Sequence, residues 1–66
     1  MNMELLQKKI DDSGLKYYFI AEKMGIDRAS LYNKLTGKTE FTMSEIGKLC
    51  KVLNLNDFDK IKIFFA

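Results

Sequence analysis

The sequence of 66 residues contains no histidine, proline or tryptophan, and it has one cysteine, Cys50. Without histidine the commonest general base and metal ligand is missing. One cysteine can form neither an internal disulfide nor a thiolate zinc site, and an unpaired thiol suits a reducing, cytoplasmic compartment. We therefore expect no catalysis, no metal or other cofactor and no small-molecule ligand.

The chain is also short, and it lacks long apolar runs. A chain of this length buries only about 60% of the surface that its unfolded form exposes, so we expect one domain, residues 1–66, and nothing beside it. No apolar run approaches the roughly 18 residues of a membrane span. Hydrophobic residues make up 47% of the chain and charged residues 30%, a balance typical of a globular domain that has no membrane partner.

Positive charge is concentrated in the middle of the chain. The net charge of the whole chain is only +2. Residues 28–51 hold five basic side chains, Arg28 among them, against Glu40 and Glu45. A local excess of positive charge attracts polyanions better than the same charge spread evenly. A solvated surface without a partner explains the same pattern, so the charge alone leaves both interpretations open.

Apolar residues recur at helical spacing throughout, which predicts an all-α fold. Turn signals at Ser13-Gly14, Gly25, Thr36-Gly37 and Asn54 divide the chain into five pieces. The predicted helices cover residues 3–13, 17–24, 28–35, a fourth stretch that begins after Thr42, and residues 57–65. Their predicted N-caps are Asn2, Asp27, Thr42 (with Glu45 in a capping box) and Asn56.

The same spacing predicts which side chains form the core. Each helix has an apolar stripe, and the stripe of the fourth helix includes Met43, Ile46 and Cys50. The fifth helix has its stripe at Phe58, Ile61 and Phe65, with Ile63 and Phe64 off it. We expect Tyr18 and Phe19 to form one aromatic patch that closes the core from outside, in preference to a platform for stacking bases.

Two short helices joined through Gly25-Ile26-Asp27 are the most informative feature of the sequence. This connection is too short for a relaxed hairpin, so the helices must cross steeply, as in a helix-turn-helix. On the second of them Leu31 faces inward, whereas Ala29 and Asn33 lie about 160° away from it. A helix that stands out from the body in this way fits the major groove of DNA.

Three stretches of the sequence resemble the Cro/cI-type (XRE) helix-turn-helix family. They are the stretch from Ile20 to Leu31, Thr36-Gly37-Lys38, and the segment from Glu45 to Leu55. The resemblance implies a compact five-helix, lambda-repressor-like DNA-binding domain with its helix-turn-helix at helices 2 and 3. Short members resemble phage Cro-like repressors. The implied function is therefore a sequence-specific transcriptional regulator that binds double-stranded DNA, at a pseudo-palindromic operator and as a homodimer, in the cytoplasm of a bacterial host.

The resemblance assigns roles to residues on and around the third helix. The side chains implied to read bases are Arg28, Ala29, Tyr32 and Asn33, with Ser30 at the margin. Arginine can donate two hydrogen bonds to guanine, and asparagine can pair with adenine. The residues implied to contact phosphates are Lys16, Tyr17, Thr36, Lys38 and Thr39.

The chain departs from the family pattern at Lys34, Tyr17 and Phe19. Lys34 stands where the family usually buries an apolar residue, which Leu35 can replace. Tyr17 stands where a phosphate-binding glutamine is common, and Phe19 where the residue is usually polar.

Two further predictions concern contacts with other protein molecules. Phe64 and Phe65 are hard to bury together in so small a domain, which predicts a dimer interface there. A different function also fits the modest net charge. On the same fold, Phe19, Phe64 and Phe65 would bind a protein partner, as in an antitoxin or antirepressor.

Overall fold

The computed structural model describes residues 1–65, which contain helices and no strand. The five α-helices are α1 (Met3–Ser13), α2 (Tyr17–Met24), α3 (Arg28–Leu35), α4 (Met43–Val52) and α5 (Asp57–Lys60). A π-helical turn, Ile61–Phe65, continues α5. The all-α prediction is confirmed, and so are the predicted bounds of the first three helices. Within residues 1–65, no helix is long and apolar enough to cross a membrane.

Side-chain caps begin four of the five helices where the sequence predicts them. The Asp27 carboxylate accepts from the Ser30 backbone N–H at 2.6 Å, and Asn2 and Asn56 cap α1 and α5 in the same way. At α4 the capping box is complete, because Thr42 and Glu45 each accept from the backbone N–H of the other. Such a cap contributes about 0.5–2 kcal/mol to helix stability.

The sharp turn between α2 and α3 depends on Gly25. Its φ is +76°, in the left-handed region that side chains with a Cβ rarely adopt. The N–H of Ile26 donates to the carbonyl of Ala21 at 3.0 Å, and that of Gly25 to Glu22 at 3.1 Å. These two bonds form a Schellman motif, which ends α2 abruptly and turns the chain steeply into α3.

The core forms between α2 and the helices that pack on it, with α1 and the C-terminal turn closing one side. Its buried side chains are Leu6, Ile10, Ile20, Ala21, Met24, Leu31, Phe41, Ile46, Leu49, Cys50, Ile63 and Phe64. The prediction that Met43 belongs to this core is wrong, since it is 69% exposed. Met43 is the first residue of α4 and lies about 60° around the helix from Ile46, at the edge of the buried face.

The predicted apolar stripe of the fifth helix is also wrong. Ile63 and Phe64 are buried, whereas the predicted stripe residues Phe58, Ile61 and Phe65 are each more than half exposed. The π-helical turn, with its wider i→i+5 spacing, shifts the side chains after Lys60 relative to an α-helix. Phe58 precedes this turn and is exposed within α5 itself.

Phe64 fills the core, although the sequence suggests that the phenylalanine pair cannot be buried internally. It is 7% exposed, and its ring meets that of Phe41 edge to face at a centroid distance of 6.1 Å. The backbone N–H of Asn2 donates to the carbonyl of Ile63, which holds the same turn against the start of α1. The expectation of an exposed pair therefore fails for Phe64 and holds for Phe65.

Candidate nucleic-acid interface

One side of α3 is buried and the other is open to solvent. Leu31 is fully buried and Leu35 packs partly against the core. On the opposite side Arg28 and Ala29 are exposed, and Tyr32 is 56% exposed. The hydrophobic contacts of α3 thus fix the helix to the body and leave its polar side uncovered. Asn33 and Ser30 are half-buried, although Asn33 points away from Leu31. The loop after α3 lies against Asn33, whose carbonyl accepts from Lys38 and Thr39.

The open side of α3 forms one wall of a groove against the start of α2. We call it the α2–α3 groove, and its lining residues are Leu15, Lys16, Tyr17, Tyr18, Asp27, Arg28, Ala29 and Tyr32. The structure therefore brings together two predicted phosphate contacts, Lys16 and Tyr17, and three predicted base-reading side chains. The remaining predicted site residues lie outside this groove.

Helix α2 begins at this groove without a side-chain cap. Its N-cap residue is Lys16, whose side chain makes no capping hydrogen bond. The first backbone N–H groups of α2 and their partial positive charge are consequently available to an anionic oxygen. The Tyr17 hydroxyl accepts a hydrogen bond from Gln7 Nε2 at 2.9 Å, which orients the phenol and leaves its own proton for donation.

The other predicted phosphate contacts follow the far end of α3. Lys38 and Thr39 are exposed, and their backbone N–H groups donate to the carbonyl of Asn33 at 2.9 and 3.3 Å. Thr36 is exposed too, but its hydroxyl donates to the carbonyls of Tyr32 and Asn33. The single hydroxyl proton of Thr36 is thus engaged within the helix end, and a phosphate would have to displace it.

A partly buried ion pair fixes the loop that carries Lys38 and Thr39. Lys34 Nζ lies 3.1 Å from Glu45 Oε1 and donates to the carbonyl of Glu40 at 3.1 Å. The same Glu45 oxygen accepts from the backbone N–H of Thr42 in the capping box. Lys34 thereby connects the end of α3 to the start of α4, at the position where the sequence pattern expects an apolar residue.

A family model for the Cro/C1-type HTH DNA-binding domain matches residues 5–59 of the chain. The chain belongs to this family. The match covers α2, α3 and α4 in full, most of α1 and α5, and both walls of the α2–α3 groove. Comparison with curated proteins and with solved structures gave no significant match.

In this Cro/C1-type domain Tyr18 and Phe19 do not form the single aromatic patch that the sequence suggests. Tyr18 is exposed and lines the α2–α3 groove, whereas Phe19 lies in a different groove, between α2 and α4. Successive residues of an α-helix are 100° apart, so the two rings point to different flanks of α2. The sequence analysis did not predict that Tyr18 lines a groove. On a helical wheel, however, Tyr18 lies off the apolar stripe of Ile20 and Ala21, which indicates an exposed side chain.

Two carboxylates that shape the interface are stabilised in their charged form. Backbone and side-chain hydrogen bonds from Ser30 lower the pKa of Asp27. The backbone N–H of Thr42, followed by Lys34, lowers the pKa of Glu45, and these effects outweigh its desolvation. Because each folded pKa lies below the unfolded value, the stability that these groups contribute is present above the unfolded pKa. It is lost as the pH falls through the folded pKa.

We expect Glu45→Gln to lower the free energy of unfolding at neutral pH by up to about 1 kcal/mol, since glutamine keeps the capping geometry but not the ion pair. The difference from the wild type should shrink as the pH falls from the ordinary glutamate pKa, about 4.3, through the lower pKa of folded Glu45, because Glu45 itself becomes protonated. Urea unfolding followed by circular dichroism measures this. A difference that stays constant over that pH range would contradict the role given to the charge of Glu45.

Proposed function

We propose that this domain is a sequence-specific transcriptional repressor that inserts α3 into the major groove of an operator. The observation that carries the proposal is the uncovered side of α3, with Arg28 at its first turn, beside the uncapped start of α2. A major groove about 12 Å wide admits an α-helix. The function is thus binding, and we infer no catalysis. A repressor of this kind acts where bacterial DNA is, in the cytoplasm.

Base reading is assigned to the open side of α3. Arg28 has no ion-pair partner within residues 1–65, so its guanidinium can present two parallel donors to guanine O6 and N7. Ala29 can pack on a thymine methyl, and Asn33 can pair with adenine. Tyr32 and Ser30 complete the set, with Ser30 at the margin because it is half-buried.

Phosphate contacts are assigned to both ends of α3. Lys16 and Tyr17 lie at one end with the α2 N-terminus, and Lys38, Thr39 and Thr36 lie at the other. An eight-residue helix is about 12 Å long, so the two groups are spaced to contact the backbones on either side of a groove of that width. Thr36 is the weakest of these assignments because its hydroxyl proton is engaged.

The homodimer is assigned to the C-terminal turn. Ile61 and Phe65 are exposed there, and Phe58 is exposed on α5 just before it. Exposed apolar side chains on so small a domain fit a self-complementary surface. Phe64, predicted for the same interface, is buried in the core against Phe41, so the proposed surface rests on Phe65 without it. A two-fold dimer would place two copies of α3 about 34 Å apart, in successive major grooves, and occupancy would block polymerase.

Selection of bound sequences from a random pool of duplex DNA tests the proposal. We expect an enriched pair of inverted half-sites about one helical turn apart. Failure to enrich any sequence at low salt would end the proposal, and a single unpaired half-site would end the dimer part of it.

On the selected operator we expect affinity to fall steeply with salt, since each phosphate contact contributes about −0.9 to the slope of log K against log salt. Lys38→Ala removes one contact per copy, so in a dimer it should flatten the slope by about 1.8 and leave base preference unchanged. Fluorescence anisotropy at a series of salt concentrations measures both. Lys8→Ala is the matched control, because Lys8 is exposed on α1 and pairs with Asp12. An equal change in the two variants would contradict a specific contact by Lys38.

A further inference from the structure

A second groove lies between α2 and α4, and the DNA interface does not use it. We call it the α2–α4 groove, and its lining residues are Phe19, Lys23, Lys48, Lys51 and Val52. Phe19 is 36% exposed, and Val52 is half-buried beside it. The groove therefore combines an apolar floor with three lysines, on a domain whose net charge is only +2.

The charges of this groove have no acidic partner in the described part of the chain. Within residues 1–65 the ion pairs involve Lys8, Lys9 and Lys34, and none of the groove lysines. Lys23 Nζ lies 5.3 Å from the centroid of the Phe19 ring, so its interaction within the fold is with an aromatic face. Such lysines can each take up a carboxylate without breaking an internal ion pair.

The α2–α4 groove is separate from the α2–α3 groove. The two share no lining residue, and Tyr18 and Phe19 place them on different flanks of α2. The DNA-facing groove lies at the start of α2, whereas Lys23 is near its end. Lys48 Nζ reaches to within 3.9 Å of where a Cβ on Gly25 would stand, at the turn that follows α2. A ligand here can therefore bind without entering the base-reading surface.

We propose that the α2–α4 groove binds an acidic segment of another protein that carries an apolar side chain. Carboxylates would meet the three lysines, and the apolar side chain would cover Phe19 and Val52. Duplex DNA matches only half of this surface, because its backbone offers phosphates and no apolar group for the floor. A polypeptide offers both, so the charge and the apolar floor together favour a protein partner. This partner would be bound in addition to the operator.

The test is a titration of the ¹⁵N-labelled full chain with a synthetic peptide of eight residues, four of them glutamates placed around a central leucine pair. Saturable chemical shift changes are expected at the α2–α4 groove and not at Arg28 or Asn33. Two control peptides, with glutamine for glutamate and with serine for leucine, should each bind more weakly. No saturable binding at millimolar peptide, or shifts centred on Arg28 and Asn33, would overturn the proposal.

Charge reversal gives a matched pair of variants. Lys51→Glu should weaken peptide binding by about fivefold to tenfold, because it replaces an attraction by a repulsion. Lys8→Glu, with the same change in net charge outside the groove, should have little effect. Equal weakening in both variants would show that peptide binding depends only on the net charge of the domain, and would overturn the proposed site.

Competition with DNA separates this proposal from the proposed function. Operator duplex added to the peptide complex should leave the peptide bound. Displacement of the peptide by duplex would assign the groove to nucleic acid and overturn the proposal. The DNA affinity of the chain is measured in the same series without peptide, so a failure of DNA binding is seen independently of a failure of peptide binding.

Discussion

Arg28→Ala should weaken binding to the selected operator by about 1–3 kcal/mol, or roughly 5- to 150-fold, and relax preference at one base pair. Arg28 is the first residue of α3, and it is exposed in the α2–α3 groove. Its planar guanidinium matches the two acceptors of guanine, and no other arginine exists in the chain to replace it. Anisotropy titrations on the operator and on its single base-pair variants measure the effect.

Two controls separate base reading from charge. Arg28→Lys keeps the charge but not the paired donors, so most of the loss in specificity should persist in this variant. Lys38→Ala should weaken binding to all sequences by a similar factor. Equal losses for Arg28→Ala on operator and random DNA would refute the assignment of base reading to Arg28.

Phe64→Ala should destabilise the folded domain by about 3–5 kcal/mol, the usual cost of removing a buried phenylalanine ring. A domain of this size has a total stability of only about 3–10 kcal/mol, so this substitution removes a large share of it. The ring of Phe64 is packed against Phe41 in the core, and its truncation leaves a cavity there. Urea unfolding of dilute protein measures the loss.

The neighbouring residue provides the comparison. Phe65 is about half exposed, so Phe65→Ala should change the free energy of unfolding of the monomer by at most about 0.5 kcal/mol. It should instead shift sedimentation toward the monomer. If Phe64→Ala does not fold, Phe64→Leu, which removes less volume from the core and so costs less stability, keeps the test possible. Similar unfolding curves for Phe64→Ala and Phe65→Ala would contradict the packing described here.

The helix-turn-helix was predictable because its determinants are local. Asp27 caps α3 through a residue three positions away, and Gly25 ends α2 by its own backbone conformation. The spacing of Leu31 and Asn33 fixes which side of α3 is buried. These signals need no knowledge of distant contacts, so the sequence predicted both the bounds of the two helices and the open side of α3.

The C-terminal turn was not predictable in the same way. Its register departs from an α-helix after Lys60, where the carbonyl of Ile63 meets the N–H of Asn2 and Phe64 meets Phe41. Those partners are distant in sequence, and a helical wheel drawn from local spacing contains no information about them. The π-helical turn therefore exchanged the buried and exposed sides that the wheel assigns.

The ion pair between Lys34 and Glu45 could not be predicted from the sequence for a similar reason. The pattern marks Lys34 as an anomaly within α3 and Glu45 as a capping residue of α4, each with a separate explanation. Only the fold of the α3–α4 loop brings their side chains to 3.1 Å. A lysine at a position expected to be apolar is thus accommodated by a carboxylate that already had another role.

The missing cap of α2 has a consequence for how stability and recognition are balanced. A serine or aspartate in place of Lys16 would satisfy the first N–H groups of α2 and stabilise the free protein by about 1 kcal/mol. The same side chain would then compete with the phosphate oxygen for those donors. Under the proposed function, the unliganded domain is less stable than its fold permits, and a phosphate of the operator would supply the missing cap of α2.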